Sequence, residues 1–507
     1  MLELSSPIDA AQWLRARVRG NFYTDSRKLT AGDGFIAWPG AAVDGRQFVD
    51  QALKVGASAC LVEADGAQAF HFIDERVASY TGLKRASGPI AAEIFEHPST
   101  QIDVLAVTGT NGKTSTAWWL AQALNALHAQ NQSLSLLKTE LFTQYACGLM
   151  GTLGVGVPGQ MVPTGLTTPD PVMLQTQLQQ MRQNGVRACA IEASSIGIAE
   201  HRLDGTRIRM AVFTNFTQDH LDYHGTMQAY WLAKRTLFDW PGLQLAVVNL
   251  DDPKGEELAQ YAAHQGLDVW SVSRSQTVDA RLKACDLVYS TNAMQFMACE
   301  GQERVLVKAS LLGDYNVSNL LGVLAVLRAL GHTLQAACHV MQSLSAVPGR
   351  LEFLGLPGQP LAAIDYAHTP DALVQVLSAL RATARARAGK LWCVFGCGGD
   401  RDAIKRPQMA VAAERGSDCV VVTSDNPRSE KMDAIIEQIM SGFTDASCVI
   451  RQPDRALAIT QTIHAAAPQD VVLIAGKGHE CYQEIAGVRT IFSDLECAQK
   501  ALQERRP

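Results

Sequence analysis

An α/β fold in three domains is what the sequence predicts, and three observations carry that expectation. At 507 residues, 47% of them hydrophobic, the chain is longer than a single core organises. Short apolar runs alternate with helical stretches along much of its length, the pattern of mainly parallel sheets covered by helices. One such run, Val104 to Val107, opens into Thr108-Gly109-Thr110-Asn111-Gly112-Lys113-Thr114, and a long helical stretch follows at once.

The first block, residues 1–98, mixes strand-like runs (Phe35 to Trp38, Ala59 to Val62) with glycine and aspartate turns and reads as a small α/β domain. It has no phosphate loop of its own. The second block, 99–346, starts at the strand before Gly109. From Thr116 to Leu127 apolar residues recur at helical spacing (Ala117, Trp118, Leu120, Ala121, Leu124, Leu127) with no proline, which predicts a helix. Runs at Ala188 to Ile191, Met210 to Phe213 and Leu245 to Asn249 predict further strands of a P-loop ATPase-like, mainly parallel sheet. The third block, 347–507, begins at Val347-Pro348-Gly349-Arg350 and alternates again. Its buried runs (Ala362 to Ile364, Leu391 to Phe395, Cys419 to Thr423, Val471 to Ala475) suit a Rossmann-like α/β domain. Each is followed by polar, glycine-rich or proline-containing sequence, and open α/β sheets place their sites at such strand ends.

Composition narrows the function classes. A net charge of −6 with both signs interspersed gives no footprint for nucleic acid or an anionic membrane. No leader pattern and no eighteen-residue apolar run is present, so a soluble, cytoplasmic protein is expected. The twelve cysteines include no C-x-x-C pair. Even the closest two, Cys393 and Cys397, are expected to be reduced core thiols.

The loop after Val107 has the composition that nucleotide phosphates require. Gly109 and Gly112 let backbone N–H groups approach phosphate oxygens, Lys113 supplies a compact positive charge, and Thr114 offers Mg²⁺ a hydroxyl at a helix start. ATP and Mg²⁺ are therefore the expected cofactors; an ordinary glycine turn is the plain alternative. Only Thr110 and Asn111 separate the two glycines, so the loop is an abbreviated one. After Ala188 to Ile191 comes Glu192, a carboxylate at a strand end suited to hold Mg²⁺. After Met210 to Phe213, Asp219-His220-Leu221-Asp222-Tyr223-His224 gathers two histidines and two aspartates, which points to metal or phosphate.

Taken together, Gly109 to Thr114, Asp219 to Gly225 with Lys234 downstream, Gly313-Asp314-Tyr315-Asn316-Val317-Ser318-Asn319 and Asp365-Tyr366-Ala367-His368-Thr369-Pro370-Asp371 resemble the Mur ligases. These are ATP-dependent amino-acid-adding enzymes of peptidoglycan precursor synthesis. The resemblance covers nearly the whole chain, and Asp425-Asn426-Pro427-Arg428 resembles the signature of members that select meso-2,6-diaminopimelate as third residue of the stem peptide. It implies that a substrate carboxylate attacks the γ-phosphate to give an acyl phosphate, which an amine then displaces. Lys113 would contact the β- and γ-phosphates, Thr114 and Glu192 would hold one Mg²⁺, and His220 would help place a second. Lys234 matches the family lysine that is carbamylated, which would make it an anionic ligand of the second Mg²⁺, although its sequence setting alone favours a solvated helix lysine. Asn316 and Asn319 match asparagines that hold adenine, with helix caps as the plain alternative. Arg350 matches a phosphate contact and Asp365 a ribose ligand.

The resemblance also divides the substrates. Ser26 matches a contact to the UDP portion of UDP-N-acetylmuramoyl-dipeptide; Thr167, Thr168, Ser194 and Arg202 match contacts to its muramoyl-peptide. For diaminopimelate, Arg428 would grip the distal carboxylate and Glu480 the ammonium. Arg401, Asp425, Asn426 and Gly476 stand alongside. Three positions depart from the family pattern: Glu200 for a usual glutamine, Ile196 for histidine in some members, and Cys481 for a usual aspartate. A lysine-adding Mur ligase, a folylpolyglutamate-synthetase-like ligase and a non-catalytic nucleotide-binding scaffold are the alternatives, and a monomer is expected.

Overall fold

The computed structural model describes residues 1–40, 43–134, 146–289 and 293–505. Three sheets follow one another along the chain. The first has five strands, all parallel, in the spatial order Leu2–Leu4, Val77–Tyr80, Ala59–Glu63, Gly34–Ala37, Phe22–Tyr23.

The second sheet has eleven strands, and Asp103–Thr108 lies inside it between Ala188–Glu192 and Met210–Phe213, parallel to both. Its side chains explain the placement. Leu105 and Val107 enter the core under the helices Lys113–Leu134 and Asp314–Ala329, whereas Val104 and Ala106 enter the core on the opposite face. A strand with both faces apolar needs helices on both sides, and burying each such side chain stabilises by about 1.5–3 kcal/mol. The mainly parallel expectation holds for the middle of this sheet. Both edges are antiparallel: Leu282–Tyr289, Met294–Glu300 and Glu303–Ala309 on one side, Cys147–Gly151, Gly154–Val157 and Gln160–Val162 on the other. Residues 294–298 alternate buried with less buried positions, as a strand covered on one face does.

The third sheet has six strands, parallel except where Glu352–Leu354 meets Leu361–Asp365. An additional hairpin, Tyr482–Ile485 with Val488–Ile491, stands beside it. Val172, on the helix Pro171–Gln183, packs into the core of the first sheet, so that core is completed by a residue distant in sequence. All twelve cysteines are free, and Cys393 and Cys397 are buried. Among the described residues no helix is long and apolar enough to cross a membrane.

Candidate active site

The loop Gly109 to Lys113 leaves the end of its strand and turns directly into the helix Lys113–Leu134. Gly112 has φ +82° and lies against the Asn319 carboxamide, with no room for a Cβ. Asn215 caps the loop, accepting from Asn111 N through Oδ1 at 2.8 Å and donating to Asn111 O at 3.0 Å. Lys113 folds back on its own loop, donating to Gly109 O at 2.9 Å and Thr110 O at 2.8 Å. Burial pushes its ammonium below the ordinary lysine range, against the pull of Glu192 and Asp219.

Thr114 Oγ1 donates to Glu192 Oε2 at 2.9 Å, and the other oxygen of Glu192 accepts from Thr152 N at 2.7 Å. Among the described residues no three His, Cys, Asp or Glu side chains converge on one point as a ready-made metal cage. The Thr114–Glu192 oxygens nevertheless fit magnesium, which takes one or two protein oxygens and completes its shell from phosphate and water.

Lys234 overturns the solvated-helix reading of its sequence. It is 1% exposed, lies on the inward face of the helix Met227–Arg235 with Tyr230 one turn earlier, and donates to Gly109 O at 2.6 Å. Burial and the neighbouring Lys113 push its pKa well down. His220, edge-on to Tyr230, is held uncharged by burial, down to about 3. Burial would raise the Asp219 carboxyl, yet His368, His220 and Lys405 together hold it well below the usual range.

Asn111, Gly112, Asn316 and Asn319 of the second block and Arg350 and Asp365 of the third line one cleft of ≈ 640 Å³. Asn316 and Asn319 lie on one helix face, with Asn319 Nδ2 donating to Asn316 Oδ1 at 3.2 Å. The cap of that helix is Gly313, so neither asparagine is the cap. Asp365 accepts from Leu351 N and Ala367 N, both at 2.8 Å. Arg350 reaches across from the third block to Thr114 Oγ1 at 3.2 Å and lies over the Tyr366 ring at 4.4 Å. Its Nε is buried with no protein partner. An orphaned guanidinium N–H beside a phosphate-type loop suits an anion that completes the set.

Further along the second sheet, Thr168 Oγ1 donates to Glu192 O at 2.7 Å and lies 2.9 Å from Ser194 Oγ, while Thr167 Oγ1 meets Thr152 Oγ1 at 3.1 Å. Arg202 Nη1 donates to Thr168 O at 3.1 Å. These four residues form one continuous wall. Ser26 is not part of it: it starts a short 3-10 turn in the first block, capped by Asp25.

In the third block the strand-end loops converge. Asn426 Nδ2 donates to Glu480 Oε2 at 2.8 Å, and the fully buried Lys477 donates to Asn426 Oδ1 and Glu480 Oε2, each at 3.0 Å. Asp425 caps Asn426 N at 2.7 Å and lies against Gly476. Arg428 (φ +53°) donates to Gly399 O at 2.6 Å and is pinned through its backbone to Glu484 and Ala486 of the hairpin. Arg401 is exposed and donates to its neighbour Asp400 O at 3.1 Å. Behind these loops, Arg455 and Asp494, both fully buried, pair at 2.6 Å, and Arg455 also donates to the carbonyls of Ser424, just past one strand, and Ala475, at the end of another.

Tyr366 joins the two regions. Its ring lies under Arg350, its hydroxyl donates to Glu480 Oε1 at 3.5 Å, and His479 packs beside it at 5.3 Å. Tyr366, Lys477, Asn215 and Thr152 were not among the predicted site residues. The first three stand in or beside motifs that sequence reading had already marked; nothing in the sequence marks Thr152.

Three family models match the chain: Mur ligase family, catalytic domain, over residues 21–91; Mur ligase middle domain over 107–327; and Mur ligase, glutamate ligase domain, over 349–478. The UDP-N-acetylmuramoyl-L-alanyl-D-glutamate--2,6-diaminopimelate ligase of Acidovorax sp. (strain JS42) is 55% identical over 502 residues, spanning 99% of this chain and 98% of the relative. A solved structure of a ligase with that name superposes with a TM-score of 0.62 at 34% identity, covering 95% of this chain and 94% of the other. The MurF ligase of Thermotoga maritima in complex with ADP shares the fold, with a TM-score of 0.65 at 19% identity over 96% of this chain and 98% of its own.

Proposed function

This chain belongs to the Mur ligase family, and from that premise we propose that it joins meso-2,6-diaminopimelate to UDP-N-acetylmuramoyl-L-alanyl-D-glutamate, splitting ATP to ADP and phosphate. The reading rests on one observation above all. The phosphate loop, Arg350 and Tyr366 form a continuous path from the nucleotide cleft to the pocket of Arg428 and Glu480.

A carboxylate is a poor electrophile, so its oxygen first forms a bond to the γ-phosphorus while the bond to the ADP oxygen breaks. The amine then bonds to the acyl carbon, phosphate leaves, and the amine proton passes to solvent. Lys113 exchanges its loop carbonyls for β- and γ-phosphate oxygens, and the orphaned Arg350 Nε gains an acceptor there. Asn316 and Asn319 face the base, and Asp365 the ribose. Mg²⁺ held by Thr114 and Glu192, with a second ion near His220, would neutralise the phosphate oxygens on which negative charge gathers. Lys234, buried and biased toward its neutral amine, suits carbamylation: the neutral nitrogen bonds to CO2, one proton leaves to solvent, and the uncharged amine becomes an anionic carbamate. Thr167, Thr168, Ser194 and Arg202 line the muramoyl-peptide, Ser26 meets the UDP portion, and Arg428 and Glu480 clasp the carboxylate and the ammonium at the distal end of diaminopimelate, with Arg401, Asp425, Asn426 and Gly476 around them. Borders at 98/99 and 346/347, a monomeric state and a cytoplasmic location, with neither nucleic acid nor membrane as partner, belong to the same reading.

The test supplies ATP and UDP-muramoyl-dipeptide with diaminopimelate, lysine or glutamate in turn and measures phosphate release. Diaminopimelate is expected to support turnover well above the others. Arg428→Ala is expected to raise its KM roughly 10- to 100-fold, the worth of charge-assisted hydrogen bonds, and to leave ATP affinity unchanged. Preferred use of lysine, or equal loss of both affinities, would overturn the assignment.

A further inference from the structure

The first block meets the second through an unusually close backbone contact. Gly88, on the helix Leu83–Ile94, lies so near the Asp204 carbonyl that a Cβ would collide with it, and Gly205 abuts the backbone of Gly88 in turn. Lys84 is one turn before Gly88, and Glu200 four residues before Asp204, so the contact brings these two side chains together. Lys84 Nζ lies 2.6 Å from Glu200 Oε2, and Tyr223 Oη donates to Glu200 Oε1 at 2.5 Å. The Glu200 side chain is 20% exposed. Burial would raise its carboxyl, but Lys84, Tyr223 and Arg202 hold it below the ordinary value.

This carboxylate stands beside a wall assigned to an anionic substrate. Arg202, two residues on, already donates to Thr168 O. Tyr223 packs against His224, which meets Ser195 Oγ at 3.0 Å. A bare carboxylate here would repel the muramoyl-peptide. With Lys84 in place the cluster holds two cations and one anion, so its net charge is +1 and its face attracts.

We propose that Lys84, delivered by the first block, is a substrate-positioning residue that acts through Glu200: by cancelling that carboxylate it leaves Arg202 to receive the anionic UDP-muramoyl-dipeptide. The proposal deepens the function given above and rests on its substrate. It makes the first block a contributor to this stretch of the site, where sequence motifs had placed only second-block residues.

The test is steady-state kinetics of the full-length enzyme with each substrate varied, and melting followed in parallel. Lys84→Met leaves Glu200 unpaired and is expected to raise the KM for UDP-muramoyl-dipeptide roughly tenfold, with kcat and the KM for ATP within about twofold of wild type. Adding Glu200→Gln in the Lys84→Met background removes the stray charge and is expected to recover most of that loss. Lys84→Arg is expected to stay near wild type. A strut that only holds the blocks together would lower the melting temperature and show no such recovery. An unchanged KM in Lys84→Met, or a double variant no better than the single, overturns the proposal. Absence of diaminopimelate-dependent turnover in the wild type would instead overturn the function assignment.

Discussion

The nucleotide loop and the third-block pocket hold their charges in opposite ways. In the loop, the half-buried Lys113 donates only to carbonyls of its own turn and the buried Lys234 beside it to one of the same carbonyls, so neither is committed to a carboxylate. In the pocket, Glu480 is already gripped by Asn426 and Lys477, and the surrounding loops are braced from behind by Arg455 and Asp494. The difference teaches that a site for phosphoryl transfer benefits from unspent cations, whereas a site that must tell one amino acid from another benefits from rigid, prepaired groups.

The largest expected effect breaks the loop side alone. Lys113→Ala should lower kcat roughly 10³-fold, as removal of a preorganised charge-stabilising donor does, and leave the melting profile close to wild type; turnover within tenfold of wild type would show that the unspent charge is idle. The pocket side breaks through stability. Asp494→Ala strands the Arg455 guanidinium in the core and should destabilise by about 3–5 kcal/mol, lowering the melting temperature and the diaminopimelate affinity together; a stable variant with full affinity would show that the brace is dispensable.

The smallest effect sharpens the comparison by pH. Burial lowers His220 to about 3 and His479, beside Arg350 and Lys477, to about 4, whereas an unfolded histidine titrates near 6.5. Between those values the unfolded chain binds more protons than the folded one, so stability rises with pH across that window and is lost as pH falls below about 6.5. Melting temperature should be level from about pH 7 to 8 and fall by several degrees toward pH 4. His479→Asn should flatten part of that fall. An unchanged slope would remove His479 from the account.

Contiguity decided what the sequence could reveal. Gly109 to Thr114 is legible because six successive residues do one job, and Asn316 with Asn319 because helical spacing alone puts them side by side. The parallel strands were legible from unbroken apolar runs such as Val471–Ala475. The antiparallel edges near Cys147 and Leu282 were not, because half-buried strands mix polar residues into the pattern. Lys234 looked solvated because nothing local shows that its helix turns the Tyr230–Lys234 face onto a loop more than a hundred residues earlier. Thr152 meets Glu192 through its backbone N–H, which any residue carries, as well as through its hydroxyl. The Glu200 departure was visible as a substitution, but its resolution lies in Lys84, more than a hundred residues away.

The Arg455–Asp494 pair has a consequence for the order in which the molecule is made. Asp494 follows every other pocket residue in the chain, so on the ribosome the loops bearing Arg428 and Glu480 emerge while the guanidinium behind them still lacks its counterion. The second sheet is wholly synthesised by then, and the brace behind these loops is completed only when the helix Asp494–Glu504 emerges.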